Sequence, residues 1–218
     1  MSAPDEGRDQ GQELEDDSGP YFPTYEELAS ELLESLEASG LVVHDVRHEL
    51  EPSTGERRFE CVARLPGGDS PHRYHATVHF HWDALLTYAS AYGPGAECDL
   101  YHGDDQPCPH REGRPQPFTE IVVEYALGDG GYQLRDLGEV PHWIETARAL
   151  LDKAHEGEDQ PAVHIDLSWQ GETTLVERFV AESSWYLELD EPPDLAPVSR
   201  QVSAILKLTP GLADRLPF

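Results

Sequence analysis

The sequence predicts an α+β domain in which helices pack on one face of an antiparallel β-sheet. Alternating strand segments are more numerous than helical stripes, and most neighbouring strands are joined by connections too short for a crossover. A Rossmann-like sheet requires strands and helices that alternate strictly, and this sequence does not show that alternation. The apolar fraction is 38%, with 4 Trp, 9 Tyr and 6 Phe, which suffices for the core of one domain.

Residues 1–20 are predicted to form a solvated acidic tail in front of a single domain over residues 21–218. The domain opens with a helix that begins at a capping box of Thr24 and Glu27 and ends at Gly40. Leucines at helical spacing form its buried side. Its outer side carries only acidic charges, at Glu26, Glu31, Glu34 and Glu37.

Three strands follow this helix and are predicted to form an antiparallel meander. They are Leu41–Leu50, Arg57–Leu65 and Tyr74–Trp82. In the third strand the apolar residues fall on one face, and the other face carries His75, Thr77, His79 and His81. Asp83 is predicted to cap a short helix that stops at Gly93, before a long loop over residues 93–117.

In the second half, a predicted helix followed by three predicted strands echoes the order of elements over residues 24–82. The predicted strands are Phe118–Leu127, Tyr132–Leu137, Ala162–Trp169, Thr173–Ala181 and Trp185–Leu189. Gly128–Gly131 predicts a hairpin, Ser183–Ser184 joins the last two strands, and helices begin at Pro141 and after Asp194. Residues 21–92 and 118–208 are therefore interpreted as two possible pseudo-repeated halves joined by the loop.

The long loop contains four residue types that bind zinc, namely Cys98, His102, Cys108 and His110. A tetrahedral Zn²⁺ site needs four such donors, and a loop of this length inside a compact domain is uncommon. The spacing is not that of the usual zinc fingers, ribbons or knuckles. The alternative interpretation is a polar loop with unpaired cysteines.

The histidine row is a second candidate metal site. Side chains at residues 79 and 81 project from one strand face, and three histidines of this strand with a carboxylate from Glu120 or Glu124 would make a ligand set. The competing interpretation is that this face meets solvent. Cys61, at an inward strand position, is predicted to be a small buried hydrophobe.

Charge is the most unusual property of the sequence, with 43 acidic and 15 basic residues and a net charge of −28. Such a field repels nucleic acids and anionic membranes and attracts basic proteins and cations. Apart from Lys153 and Lys207, the basic residues are arginines, a bias that the host proteome alone would also produce. No apolar run is long enough to span a bilayer, and the amino terminus does not resemble an export signal. A cytoplasmic protein is expected.

The sequence contains no nucleophile elbow, phosphate loop, dinucleotide fingerprint or metalloprotease helix. Its acidic α+β character resembles, in general texture, the immunity proteins that neutralise bacterial toxins. This implies a non-catalytic inhibitor whose carboxylates steer and occlude a basic site, with aromatic anchors. The predicted partner-binding residues are Glu26, Glu34, Glu37, Trp82, Tyr92, Asp99, Tyr101, Asp104 and Asp105.

The alternative hypothesis is a zinc-stabilised domain or a metal-dependent enzyme built on the loop over residues 98–110. Four protein ligands would make a closed structural site, whereas catalysis needs an open coordination position. A third hypothesis is a regulatory domain that binds a small ligand between sheet and helices. No cofactor other than one Zn²⁺ is expected.

Overall fold

The computed structural model describes residues 21–67, 74–92, 118–128, 130–154, 161–213 and 215–216. The helices are α1 (Tyr25–Ala38), α2 (Ala84–Tyr92), α3 (Val140–Leu151), α4 (Ala196–Leu208) and α5 (Pro210–Ala213), with a 3-10 helix at Leu137–Glu139. The strands are β1 (Val42–Leu50), β2 (Arg57–Arg64), β3 (Ala76–Trp82), β4 (Phe118–Gly128), β5 (Tyr132–Leu134), β6 (Ala162–Gln170) and β7 (Thr173–Glu188).

All seven described strands belong to one antiparallel sheet. Its order is β1-β2-β3-β4-β7-β5, and β6 pairs with the other edge of β7. The predicted α+β class is confirmed, and so is the antiparallel meander of β1, β2 and β3. β7 is the central strand of the second part of the sheet, because it pairs with β4, β5 and β6.

Helix α1 begins and ends as the sequence predicts. The Thr24 hydroxyl accepts from the Glu27 amide at 3.2 Å, and the Glu27 carboxylate accepts from the Thr24 amide at 2.8 Å. At the other end Gly40 has φ +79°, and the Leu41 amide donates back to the Leu36 carbonyl at 3.3 Å. These two motifs satisfy backbone groups that a helix end otherwise leaves unpaired.

The hydrophobic core lies between one face of the sheet and helices α1, α3 and α4, and α4 contacts both α1 and α3. Leucines 28, 32 and 36 of α1 are fully buried, and they share one core with the alternate side chains of β2, β3 and β4. We call this side of the sheet the covered face. None of the helices in the described part of the chain combines the length and apolar character needed to cross a membrane.

The opposite side, which we call the polar face, displays the other alternate residues of the same strands. The side chains at its centre include Arg58, Glu60, His79, His81, Glu120, Glu124, Glu182, Tyr186 and Glu188. The period of two that buries one set of side chains therefore places charges and histidines on the second set.

The predicted hairpin at Gly128–Gly131 is wrong. Gly128 pairs with Phe179 and Tyr132 pairs with Val176, both antiparallel to β7, so the chain keeps its direction. Between these two pairs the chain advances by four residues from Gly128 to Tyr132 but by only three along β7. One extra residue on one strand is the signature of a β-bulge. Glycine permits it, because a Cβ at Gly130 would lie 2.4 Å from the Glu177 carbonyl oxygen and Gly131 has φ +81°.

The turn predicted at Ser183–Ser184 is also absent, since both residues lie inside the continuous strand β7. Ser183 faces the core and accepts a hydrogen bond from the Gln201 amide of α4 at 3.1 Å. A buried polar residue that is paired in this way is compatible with a strand interior. The serine pair does not form a turn, and the residue that stabilises Ser183 inside the strand, Gln201, is remote in sequence.

Candidate functional site

The outer side of α1 carries a stripe of carboxylates, Glu27, Glu31 and Glu34, which we call the acidic ridge. All three are exposed, and α1 contains no basic residue. The spacing of four and three residues makes them neighbours on the helix surface. The pKa of Glu31 is raised, first by partial burial and then by the charges of Glu27 and Glu34.

An aromatic residue stands beside this ridge. Tyr21 is 37% exposed, and its pKa is raised by burial and then by Glu31 and Glu27. Because the same two carboxylates act on the phenol, Tyr21 lies within the electrostatic reach of the ridge. An amphipathic ring next to charge is a common element of protein interfaces.

The predicted partner-binding residues of α1 differ in their surroundings. Glu26 forms an ion pair with Arg57 at 2.7 Å, and the hydrogen bond from Arg57 lowers the pKa of Glu26. Arg57 in turn stacks over the Tyr25 ring at 3.7 Å. Glu26 is therefore already compensated within the chain, whereas Glu34 and Glu37 are exposed and form no ion pair with any described residue.

Trp82 is 1% exposed and lies edge-on to Phe22 and Tyr25. This corrects the expectation that Trp82 anchors a partner, because its inward strand position places the ring in the core. Tyr92 is the last residue of α2, and its side chain is outside the description. The remaining predicted residues lie outside the described residues: Asp99, Tyr101, Asp104 and Asp105 for a partner, and Cys98, His102, Cys108 and His110 for zinc.

The histidine row lies on the polar face, as its alternation predicts. His79 pairs in register with Glu60 and Val122, and His81 with Arg58. The two rings are 5.8 Å apart between centroids. The pKa of His79 is lowered, first by burial and then by Arg58 and His81, so the neutral imidazole is its favoured form near neutral pH.

The described part of the polar face carries an ion-pair network. Arg58 donates to Glu60 at 2.9 Å, and Arg47 approaches the same carboxylate at 3.5 Å. Arg178 binds Glu124 and lies 3.7 Å from Asp166. Within the described ranges, no group of three or more His, Cys, Asp or Glu side chains could hold a metal ion.

Two polar atoms on the polar face are buried without a hydrogen-bond partner among the described residues, Arg58 Nε and His79 Nδ1. A nucleophile activated by His79 through Nδ1 would need a hydroxyl or thiol within hydrogen-bond distance of that nitrogen. No described residue places one there. Cys61 is fully buried on the covered face, and burial raises its pKa to about 12. Its thiol is thus a core group with little nucleophilic character.

Comparisons with models of protein families, with curated proteins and with solved structures find no match to this chain.

The predicted partner-binding residues include three glutamates of α1 but not Tyr21, Glu27 or Glu31. Glu27 was accounted for by its capping role, which the structure retains. The signal for a ridge was nevertheless present, because three glutamates at this spacing share one helix surface. No sequence pattern indicates Tyr21, because its proximity to Glu31 depends on how the chain enters the helix.

Proposed function

We propose that the protein is a non-catalytic domain that binds a basic protein and occludes its functional surface, in the manner of an immunity-type inhibitor. The observation that carries this proposal is the acidic ridge. Its three carboxylates lie on one exposed surface, and no described residue forms an ion pair with them.

The ridge has a cost in stability, which is the first argument for a role in binding. Like charges three and four residues apart destabilise a helix by roughly 0.2–0.5 kcal/mol per pair. The pKa of Glu31 is raised in part by this repulsion. A basic partner would remove the repulsion on binding, so the same charges would then favour the complex.

The net charge of −28 also supports the proposal, because it favours fast association with a basic partner. Complementary charge steers diffusional encounter and raises on-rates far above those of neutral pairs. Carboxylates supply steering more than affinity, and aromatic anchors supply affinity. Tyr21, partly exposed beside the ridge, is the described residue best placed for that role.

The test compares Glu27→Gln/Glu31→Gln/Glu34→Gln with a matched control, Glu145→Gln/Glu172→Gln/Glu191→Gln, whose three carboxylates are also exposed. Each protein is cross-linked in lysate of the source cells, and the partner is identified and then purified. We expect a basic partner whose on-rate falls about tenfold or more with the ridge variant and with added salt, but little with the control. A partner that binds both variants equally, or an acidic one, contradicts the proposal.

A further inference from the structure

A second surface for cationic groups lies on the polar face, where β4 begins and β7 ends. In this register Phe118 lies opposite Glu188, and Glu120 lies opposite Tyr186. The four side chains form a two-by-two block with aromatic rings on one diagonal and carboxylates on the other. We call it the aromatic–acid block.

The rings of the block are held at the surface by the alternation of the strands. Phe118 is 51% exposed and Tyr186 is 68% exposed, and their centroids are 6.3 Å apart at an angle of 60°. The intervening residues Thr119 and Leu187 point to the covered face, where Thr119 is 3% exposed. The block therefore cannot turn inward without a shift in strand register.

The two carboxylates of the block make it suited to a cationic group. Glu188 is exposed and Glu120 is half-buried, and neither forms an ion pair with any described residue. Aromatic ring faces attract cations through their quadrupole, and guanidinium groups stack on them readily. Carboxylates beside the rings exclude anions and supply acceptors for the N–H groups of a cation. A neutral apolar ligand would instead cover the two charges without pairing them.

We propose that the aromatic–acid block binds the arginine or lysine side chain of an extended basic segment of a protein partner. The stem of the side chain lies on the exposed rings, and its charged group pairs with Glu120 and Glu188. An extended segment fits because successive strand residues alternate in direction, so every second side chain reaches a flat sheet surface.

The block is separate from the acidic ridge. Helix α1 packs on the covered face, whereas the block lies on the polar face of the same sheet. The inference therefore goes beyond the proposed function, and the binding role of either surface can be disproved without affecting the other.

The test uses a short, end-capped peptide of alternating glycine and arginine, with a peptide of the same length carrying citrulline in place of arginine. Binding is followed by the ring resonances of Phe118 and Tyr186 in two-dimensional NMR. We expect saturable shifts with the arginine peptide only, because citrulline keeps the shape of arginine and removes its charge. Tyr186→Leu is expected to weaken binding about fivefold, and Glu188→Gln is expected to weaken it to a similar extent.

Trp169→Leu is the matched control, because Trp169 is 64% exposed at the other end of the β6–β7 hairpin. It should leave the affinity unchanged. Equal binding of the citrulline peptide, the absence of saturable ring shifts, or an equal loss in Trp169→Leu would overturn the assignment. Should Tyr186→Leu fail to fold, Glu188→Gln decides the outcome, because it conserves size and changes an exposed group.

Discussion

At the scale of single residues, Gly130 determines how the sheet continues past β4. A Cβ there would lie 2.4 Å from the Glu177 carbonyl oxygen, which is backbone and has little freedom to move away. Gly130→Ala is therefore expected to destabilise the protein by about 1–3 kcal/mol, as overpacking does. Urea unfolding measures this, with Gly211→Ala as control, since a Cβ at Gly211 meets nothing within 4 Å. Equal stability of the two variants would contradict the role assigned to the bulge.

His79 makes a prediction about pH. Its folded-state pKa is lowered, mainly by burial, so the unfolded chain binds the proton more readily. This histidine therefore contributes stability that is present above its unfolded pKa of about 6.5 and is lost as the pH falls through the lowered folded value. We expect the NMR titration midpoint of His79 to lie below about 6.5.

The free energy of unfolding should respond accordingly. Between neutral pH and pH values just below the unfolded pKa, His79→Gln should reduce the fall in stability relative to the parent. His142→Gln is the control, because His142 is exposed on helix α3 and is not among the groups that act on the pKa of His79. A slope unchanged in His79→Gln, or a titration midpoint at or above the ordinary histidine value, would show that burial does not act on this imidazole.

At the scale of elements, α1 is defined by its ends as much as by its leucines. Replacing Thr24 by Ala removes the acceptor for the Glu27 amide and should cost about 1 kcal/mol, within the range for lost N-caps. Ser30→Ala, an exposed position in the middle of the same helix, should be neutral or slightly stabilising, since alanine is the better helix former. Denaturant unfolding of both variants measures the difference, and a greater loss in Ser30→Ala would contradict the capping role.

At the scale of the whole molecule, the net charge of −28 opposes the compact state by self-repulsion. Raising the salt concentration from about 0.01 to 0.15 M shortens the screening length from about 30 to 8 Å. The melting temperature is therefore expected to rise over this range. The triple glutamine variant of the acidic ridge should show a smaller rise, because part of the repulsion is already removed. A fall in melting temperature with salt would mean that favourable ion pairs, such as those of Arg58 and Arg178, dominate the long-range repulsion.

The sequence by itself determined the elements whose signals are local. The capping box and Gly40 set both ends of α1, and alternation marked β2 and β3 with the correct faces. It also predicted that Cys61 is buried and that His79 and His81 share the polar face. Each of these follows from a periodicity or a short-range hydrogen bond, which neighbouring residues specify alone.

Tertiary structure decided what depends on partners remote in sequence. Whether Gly128–Gly131 would reverse the chain or form a bulge was settled by β7, which offers one edge to both β4 and β5. Ser183 stays in a strand because Gln201 pairs with it, and Trp82 is core because α1 covers it. The aromatic–acid block likewise exists only through register, since Phe118 and Tyr186 are distant in the chain. Contacts between distant segments are fixed by global packing, which no local pattern encodes.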